Sequence, residues 1–251
     1  MIQFFDVSKS YDNGRVEAVK NLSMEIESGE LFGFLGPNGA GKTTTIKMMT
    51  GLLKPDSGRI TINGIDIREK PLEAKRIIGY VPDEPVFYEK MRGIQFLSFI
   101  ADVFEIPPEK RSVIYELAEY FELKEALNDI VSSYSHGMRQ KLAIIASLIH
   151  EPEVLILDEP IVGLDPKASF RLKEKLRSYC NEGRTVFFST HVMEVAEKLC
   201  DRVGIIGKGS LIAAAPLSEL RRDSGERSAS LERIFLELTD SLKDEGHDYE
   251  L

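Results

Sequence analysis

The sequence predicts an α/β fold in which a sheet of buried strands carries a glycine-rich turn and is interrupted by a helical insertion. Three observations carry this reading. Leu31–Leu35, Val154–Leu157 and Thr185–Thr190 are short apolar runs of the kind that form strands buried on both faces. Between the first of them and the helix expected from about Lys42 lies the turn GPNGAGKT. From about Val86 to His150 the hydrophobic period changes from that of strands to that of helices.

In chain order, Ile2, Phe4 and Val7 open a β-rich stretch, Asp12, Asn13 and Gly14 make a turn, and Leu22, Met24 and Ile26 alternate with polar residues as a second strand. Tyr11 stands just before that turn, as a ring that stacks on a nucleobase or simply as a turn tyrosine.

The stretch Leu31–Gly51 organises the rest. It contains the pattern GxxxxGK[ST] as Gly36, Gly41, Lys42 and Thr43, with a strand before it, a helix after it, and Gly51 as the helix stop. The glycines let the backbone turn tightly and aim successive N–H groups at one point. Gly36, Pro37, Asn38, Gly39, Ala40 and Gly41, with Lys42, Thr43 and Thr44 at the helix start, then form a nest for phosphate oxygens. Lys42 supplies a charge for β/γ-phosphates, and the Thr43 hydroxyl can ligate Mg²⁺.

Turn signals flank a short strand at Arg59–Ile62, and the β-rich run Arg76–Pro85 ends in two prolines. Helical spacing follows in Ile94, Leu97, Ile100, Ala101 and Phe104, and again in Ile114, Leu117, Ala118 and Phe121, with Pro107 and Pro108 between them. Met138, Leu142, Ile145 and Ile149 mark a further helix with Ser135 placed as its N-cap. Ser135, Gly137 and the free N–H groups of that helix end can form a second anion site.

The strand Val154–Leu157 delivers Asp158 and Glu159 at its C-terminal end, where open α/β sheets bind ligands. Adjacent carboxylates there are costly without a cation or substrate nearby, so Asp158 fits Mg²⁺ coordination and Glu159 fits a general base for water. Thr185–Thr190 delivers His191 to the same level. Val203–Ile206 and Leu211–Ala214 complete the β pattern. In the tail, Ser224–Ser230 reads as a linker, Leu231, Ile234, Phe235 and Leu238 as one amphipathic helix, and Lys243 onward as frayed and acidic.

A net charge of −9 argues against a general nucleic-acid binder, which needs a basic face to neutralise phosphates. The N-terminus lacks the pattern of a signal peptide, and the longest apolar candidate, Leu142–Ile149, has the length of a core helix. Cys180 and Cys200 lack metal-ligand spacing and suit buried thiols in a reducing cytoplasm.

With these residues assembled, the chain resembles the ATP-binding subunit of an ABC transporter over nearly its whole length. GPNGAGKT resembles the Walker A loop, VLILDE the Walker B strand, YSHGM the signature motif, Gly163–Asp165 the D-loop, and the STH ending at His191 the switch histidine. The resemblance implies a P-loop NTPase (ABC ATPase) core with an N-terminal antiparallel β subdomain and an inserted helical subdomain. It divides the chain into a core at 1–84 and 152–220, a helical subdomain at 85–151 carrying the signature, and a C-terminal linker and amphipathic helix at 221–251.

The same resemblance implies an ATPase that hydrolyses Mg-ATP between two subunits arranged head to tail, as a homodimer or heterodimer. In it Lys42 and the loop N–H groups hold the phosphates, Thr43 and Asp158 hold Mg²⁺, Glu159 activates water and His191 contacts the γ-phosphate. Tyr11 stacks on adenine, while Ser135, Gly137 and the D-loop Asp165 belong to the ATP of the opposite subunit. The implied partner is a separate integral-membrane permease, with Pro85–Met91 as the candidate dock for one of its cytoplasmic helices; Phe87 and Tyr88 in that segment otherwise read as core of the helical subdomain. The implied location is cytoplasmic, at the inner face of the cell membrane, and the general look is that of export systems. An ABC-type ATPase acting on nucleic acid or ribosomes is the rival, but it calls for long coiled-coil insertions or two motif sets. A regulatory ATP-binding protein is a further alternative.

Two positions depart from the family pattern. His136 stands where the signature commonly has glycine. Asp83 stands where the family usually has a glutamine sensing the γ-phosphate. A carboxylate can ligate Mg²⁺ but cannot donate like an amide, so Asp83 is expected to keep a metal-side role.

Overall fold

The computed structural model describes residues 1–223 and 230–244. The first two strands, β1 (Ile2–Tyr11) and β2 (Val16–Ile26), pair antiparallel across a 3₁₀ turn at Asp12–Gly14. The strand β3 (Leu31–Leu35) leads into α1 (Lys42–Met49), followed by β4 (Ser57–Ile62), β5 (Ile65–Asp66), α2 (Pro71–Arg76) and β6 (Ile78–Val81). The run expected as strand from Arg76 therefore begins at Ile78. Pro71 sits in the first turn of α2, where its missing N–H costs nothing, and that short helix takes Arg76.

Three helices succeed one another in α3 (Gly93–Val103), α4 (Ser112–Tyr120) and α5 (His136–Leu148). Then come β7 (Val154–Asp158), α6 (Pro166–Asn181), β8 (Thr185–Thr190), α7 (Met193–Leu199), β9 (Arg202–Gly207), β10 (Ser210–Pro216), α8 (Leu217–Asp223) and α9 (Leu231–Asp244). The helix α8 crosses the division expected at residue 221, because the charged Arg221 and Arg222 continue its last turn. The expected linker at 224–230 lies, apart from Ser230, outside the described residues. So does the acidic end beyond Asp244, whereas Lys243 and Asp244 still belong to α9.

Two sheets result. One is antiparallel, in the order β2-β1-β4-β5; the other runs β10-β9-β3-β8-β7-β6 and is parallel except where β10 joins β9. The alternation of side chains along a strand explains the unbroken apolar runs of the second sheet. Leu31, Leu35, Leu155, Leu157, Val186 and Phe188 enter a core shared with α3 to α7. Phe32, Phe34, Val154, Ile156 and Phe187 enter the other core, shared with α1 and the antiparallel sheet. The strands β3, β7 and β8 are thus buried along their whole length.

The amphipathic helix α9 packs on its own chain. Leu231 and Ile234 are buried in the core cluster that contains Ala196 and Leu199 of α7, with Phe235 and Leu238 against it. Among the described residues, no helix is long and apolar enough to cross a membrane.

Candidate functional site

The register of the parallel sheet builds the site. Leu35 at the end of β3 lies level with Thr190 of β8, and Asp158 of β7 lies level with Ser189. Whatever follows these residues emerges on one edge of the sheet: the loop Gly36–Gly41, Glu159, and His191.

The loop can turn there because of its glycines. Gly41 has φ +110°, and a Cβ on it would stand 2.4 Å from the Ala18 carbonyl oxygen. At Gly36 a Cβ would stand 2.4 Å from the Ile206 carbonyl oxygen. Helix α1 then starts at Lys42 with its first-turn N–H groups free of intrahelical partners and its positive dipole end at the loop. The Lys42 ammonium donates to the carbonyls of Gly36, at 2.6 Å, and Pro37, at 3.2 Å. Burial pushes its pKa below the ordinary lysine value, against the opposing pull of Glu159, Asp158 and Asp83.

At the end of β7, Asp158 is buried and accepts from the Ser189 hydroxyl through Oδ1. Glu159 adopts φ +47°, a left-handed conformation that costs a non-glycine residue about 1–3 kcal/mol and is characteristic of functional sites. That turn of the chain brings Glu159 Oε1 to 2.9 Å from His191 Nδ1 and to 3.9 Å from Lys42 Nζ. Asp158 Oδ2 and Glu159 Oε2 are buried without a hydrogen-bond partner. Two unsatisfied carboxylate oxygens beside an anion nest fit a cation bound with phosphate. Among the described residues, no three His, Cys, Asp or Glu side chains are grouped to hold a metal by themselves.

A cavity of about 180 Å³ lies between these groups. It is lined by Pro37, Asn38, Gly39, Gly41, Lys42, Thr43 and Thr44 of the loop and helix start, by Asp83, Asp158 and Glu159, and by Ala18 of β2. Gly36 contributes its carbonyl to Lys42, and Ala40 is buried with its carbonyl accepting from Gly209 N. Tyr11 does not line this cavity; it ends β1 with 41% of its surface exposed and Lys9 Nζ 6.0 Å from its ring centre.

Ser135, Gly137 and Asp165 form a second cluster away from that cavity. Ser135 caps α5 by accepting from Met138 N at 3.3 Å. Asp165 caps α6 by accepting from Ala168 N at 2.8 Å, and Lys141 of α5 pairs with its other oxygen at 2.8 Å. The Lys141 ammonium holds the Asp165 carboxyl down at about 2. The His136 ring lies on Gly163: a Cβ there would be 2.1 Å from the imidazole. The start of α5 and the loop after Glu159 are therefore one packed unit.

Phe87 and Tyr88 separate. Phe87 packs edge-on against Phe96 at 5.0 Å, while Tyr88 is 65% exposed. Phe87 and Phe96, with Tyr80, Pro85, Ile100, Phe104 and His150, line an apolar groove of about 360 Å³.

Sequence reasoning passed over Ser189 and Ala18. Ser189 lay within the STH motif, but only strand pairing reveals that it faces Asp158. No sequence signal marks Ala18, which reaches the cavity through the close approach of β2 to Gly41.

A glycine-rich loop at a helix start, a buried lysine beside it, and a carboxylate pair at the end of β7, one strand removed from β3 in the same sheet, define a nucleotide-hydrolysing P-loop enzyme. Residues 19–162 match the profile of the family described as ABC transporter, and the chain belongs to that family as an ATP-binding ATPase subunit. It is 39% identical over 221 residues to the linearmycin resistance ATP-binding protein LnrL of Bacillus subtilis, a match that covers 88% of this chain and 70% of that one. It is also 39% identical over 217 residues to the Nod factor export ATP-binding protein I of Rhizobium etli, covering 84% of this chain and 67% of that one. A solved ATP-binding subunit of an ABC transporter superposes with a TM-score of 0.90 at 32% identity, covering 95% of this chain and 99% of that one.

Proposed function

We propose that this chain hydrolyses Mg-ATP at an interface between two ATP-binding subunits and so drives export through a separate membrane permease. The observation that carries the proposal is the convergence of Lys42, Asp158 and Glu159 on one cavity, with His191 bonded to Glu159 and Asp158 Oδ2 left without a partner. The backbone N–H groups between Asn38 and Thr44 and the Lys42 ammonium bind the phosphates. Thr43 and Asp158, with Asp83 on the cavity wall, would hold the cation, which neutralises charge on the transferring phosphoryl group. Glu159 orients and deprotonates the attacking water, and His191 stabilises Glu159 and the γ-phosphate side of the cavity. Tyr11 stacks on the adenine.

The second cluster supports a shared site. Ser135 and Gly137 present a helix N-terminus on the surface, and Asp165 stands beside them, so that they serve the ATP of the second subunit. The apolar groove lined by Phe87 supports docking of a permease helix, and with it a location at the cytoplasmic face of the membrane. Export rests on the relatives, one named for linearmycin resistance and one for Nod factor export.

The test is Mg-ATP turnover of the purified chain beside Glu159→Gln, each followed by size exclusion with ATP. Loss of the general base is expected to lower turnover about 10²–10⁴-fold and to trap an ATP-bound dimer. A Glu159→Gln protein that turns over like wild type overturns the role of Glu159. Co-purification with a membrane protein tests the permease. Asp83→Gln with unchanged rate and unchanged Mg²⁺ dependence removes Asp83 from the metal side.

A further inference from the structure

We infer that Ser189 is a positioning residue for this ATPase: one buried hydroxyl selects which oxygen of Asp158 faces the cation and holds the turn that aims Glu159. The inference rests on the proposed cation site and goes beyond it by naming what sets its geometry.

The hydroxyl of Ser189 is fully buried in β8, directly opposite Asp158 in the neighbouring strand β7. It has one hydrogen to donate and lone pairs to accept with. The hydrogen goes to Asp158 Oδ1, and a lone pair accepts from the Glu159 backbone N–H at 3.2 Å. Both bonds meet at one atom, and each has a consequence at the site.

The first bond divides the two oxygens of Asp158. Oδ1 is satisfied inside the sheet, and Oδ2 is left buried with no hydrogen-bond partner. An ionised carboxylate buried in that way needs a positive charge on its open side. Ser189 thus turns a symmetric carboxylate into a ligand with one committed oxygen and one available oxygen. Such outer partners orient metal ligands and typically carry 10–100-fold of affinity or activity.

The second bond acts on the backbone. Glu159 sits at φ +47°, which its side chain disfavours. Its N–H is anchored to Ser189, and its carboxylate is anchored to His191 two residues further along the same strand end. The Glu159 turn is therefore tied at both ends to β8. Losing the hydroxyl releases the peptide and leaves a buried N–H and a buried carboxylate oxygen unpaired.

The test reads metal binding as well as turnover. Mn²⁺ is titrated into the protein with a non-hydrolysable ATP analogue, and free Mn²⁺ is followed by its paramagnetic resonance signal. Ser189→Ala is expected to weaken Mn²⁺ binding about tenfold and to lower kcat about 10–100-fold, with metal-free nucleotide affinity within about twofold of wild type. Ser189→Thr, which keeps the hydroxyl, is expected to retain Mn²⁺ binding within about threefold. Ser189→Cys, nearly isosteric but a weak donor, is expected to follow the alanine variant, and serves in its place if alanine at this buried position does not fold. Equal weakening in the threonine and alanine variants overturns the inference, because packing rather than the hydroxyl is then responsible. Wild-type Mn²⁺ affinity and kcat in Ser189→Ala also overturn it, while leaving the proposed function standing. A wild-type chain whose analogue binding gains nothing from Mn²⁺ overturns the cation site itself, and this inference with it.

Discussion

His191 and Glu159 lie 32 residues apart in the chain and meet side chain to side chain, Nδ1 to Oε1 at 2.9 Å. The pair closes a line of contacts that starts at Lys42, whose ammonium stands 3.9 Å from the same Glu159 oxygen. Groups that follow three strands thus meet at one carboxylate.

Replacing His191 by alanine removes a neutral or charged donor from Glu159 and leaves the phosphate loop intact. The expected result is a fall in kcat of about 10²-fold with the KM for ATP within about threefold, since the contact serves the reacting geometry more than ground-state binding. Steady-state kinetics at saturating Mg²⁺ check it. A change confined to KM would assign His191 to binding.

Lys42 carries a pH signature in the nucleotide-free protein. Burial lowers its pKa from the ordinary 10.5. Between the lowered and the ordinary value the unfolded chain binds more protons than the folded one, so stability rises with pH through that window. Below the window the buried charge opposes folding in full. Lys42→Met is therefore expected to unfold at or above the wild-type temperature at neutral pH, to lose this alkaline rise, and to bind ATP at least about 10–100-fold more weakly through lost charge-assisted hydrogen bonds. Thermal unfolding from pH 7 upward and nucleotide titration measure the two effects.

The His136–Gly163 contact predicts a coupled pair of substitutions. In Gly163→Ala the new Cβ meets the imidazole at 2.1 Å and φ stays at +81°, so a destabilisation of about 1–3 kcal/mol is expected. Adding His136→Gly clears the ring, and part of the loss should return, leaving about 1 kcal/mol from the backbone conformation. Urea unfolding of the two single variants and the double variant yields the coupling energy. Strict additivity would show that the ring and the glycine do not press on one another.

Helix α9 predicts a contrast between two of its own residues. Ile234 is 3% exposed and Leu236 52% exposed. Ile234→Ala is expected to cost about 2–5 kcal/mol, and Leu236→Ala to stay within about 0.5 kcal/mol. Equal, small losses in denaturant unfolding would show that α9 adds little to the fold.

Much of this site was legible in the chain because the chemistry is local. The turn Gly36–Gly41, Lys42 and Thr43 are contiguous, and the backbone demands of the glycines are visible in residue type alone. The apolar runs before Asp158 and His191 likewise announce strands with functional groups at their ends. What could not be read locally is which strands are neighbours and in what register. Ser189 looks like any strand serine until β7 and β8 are paired, and only then does its hydroxyl face Asp158. Ala18 enters the cavity from β2 for the same reason. Phe87 and Tyr88 are adjacent in sequence and alike in chemistry, yet packing against Phe96 takes one and leaves the other in solvent.

The sequence by itself determined the family, the glycine-rich loop, the carboxylate pair and the histidine that follows β8, since each depends on residue types at fixed short spacing. The tertiary structure decided where they meet, that Asp158 keeps one oxygen open, that Glu159 is turned into the left-handed region, and that α9 lies on its own chain. Those features depend on the register of parallel strands and the closure of long loops. Their free energy comes from burying the two faces of the sheet, which no short stretch of the chain contains.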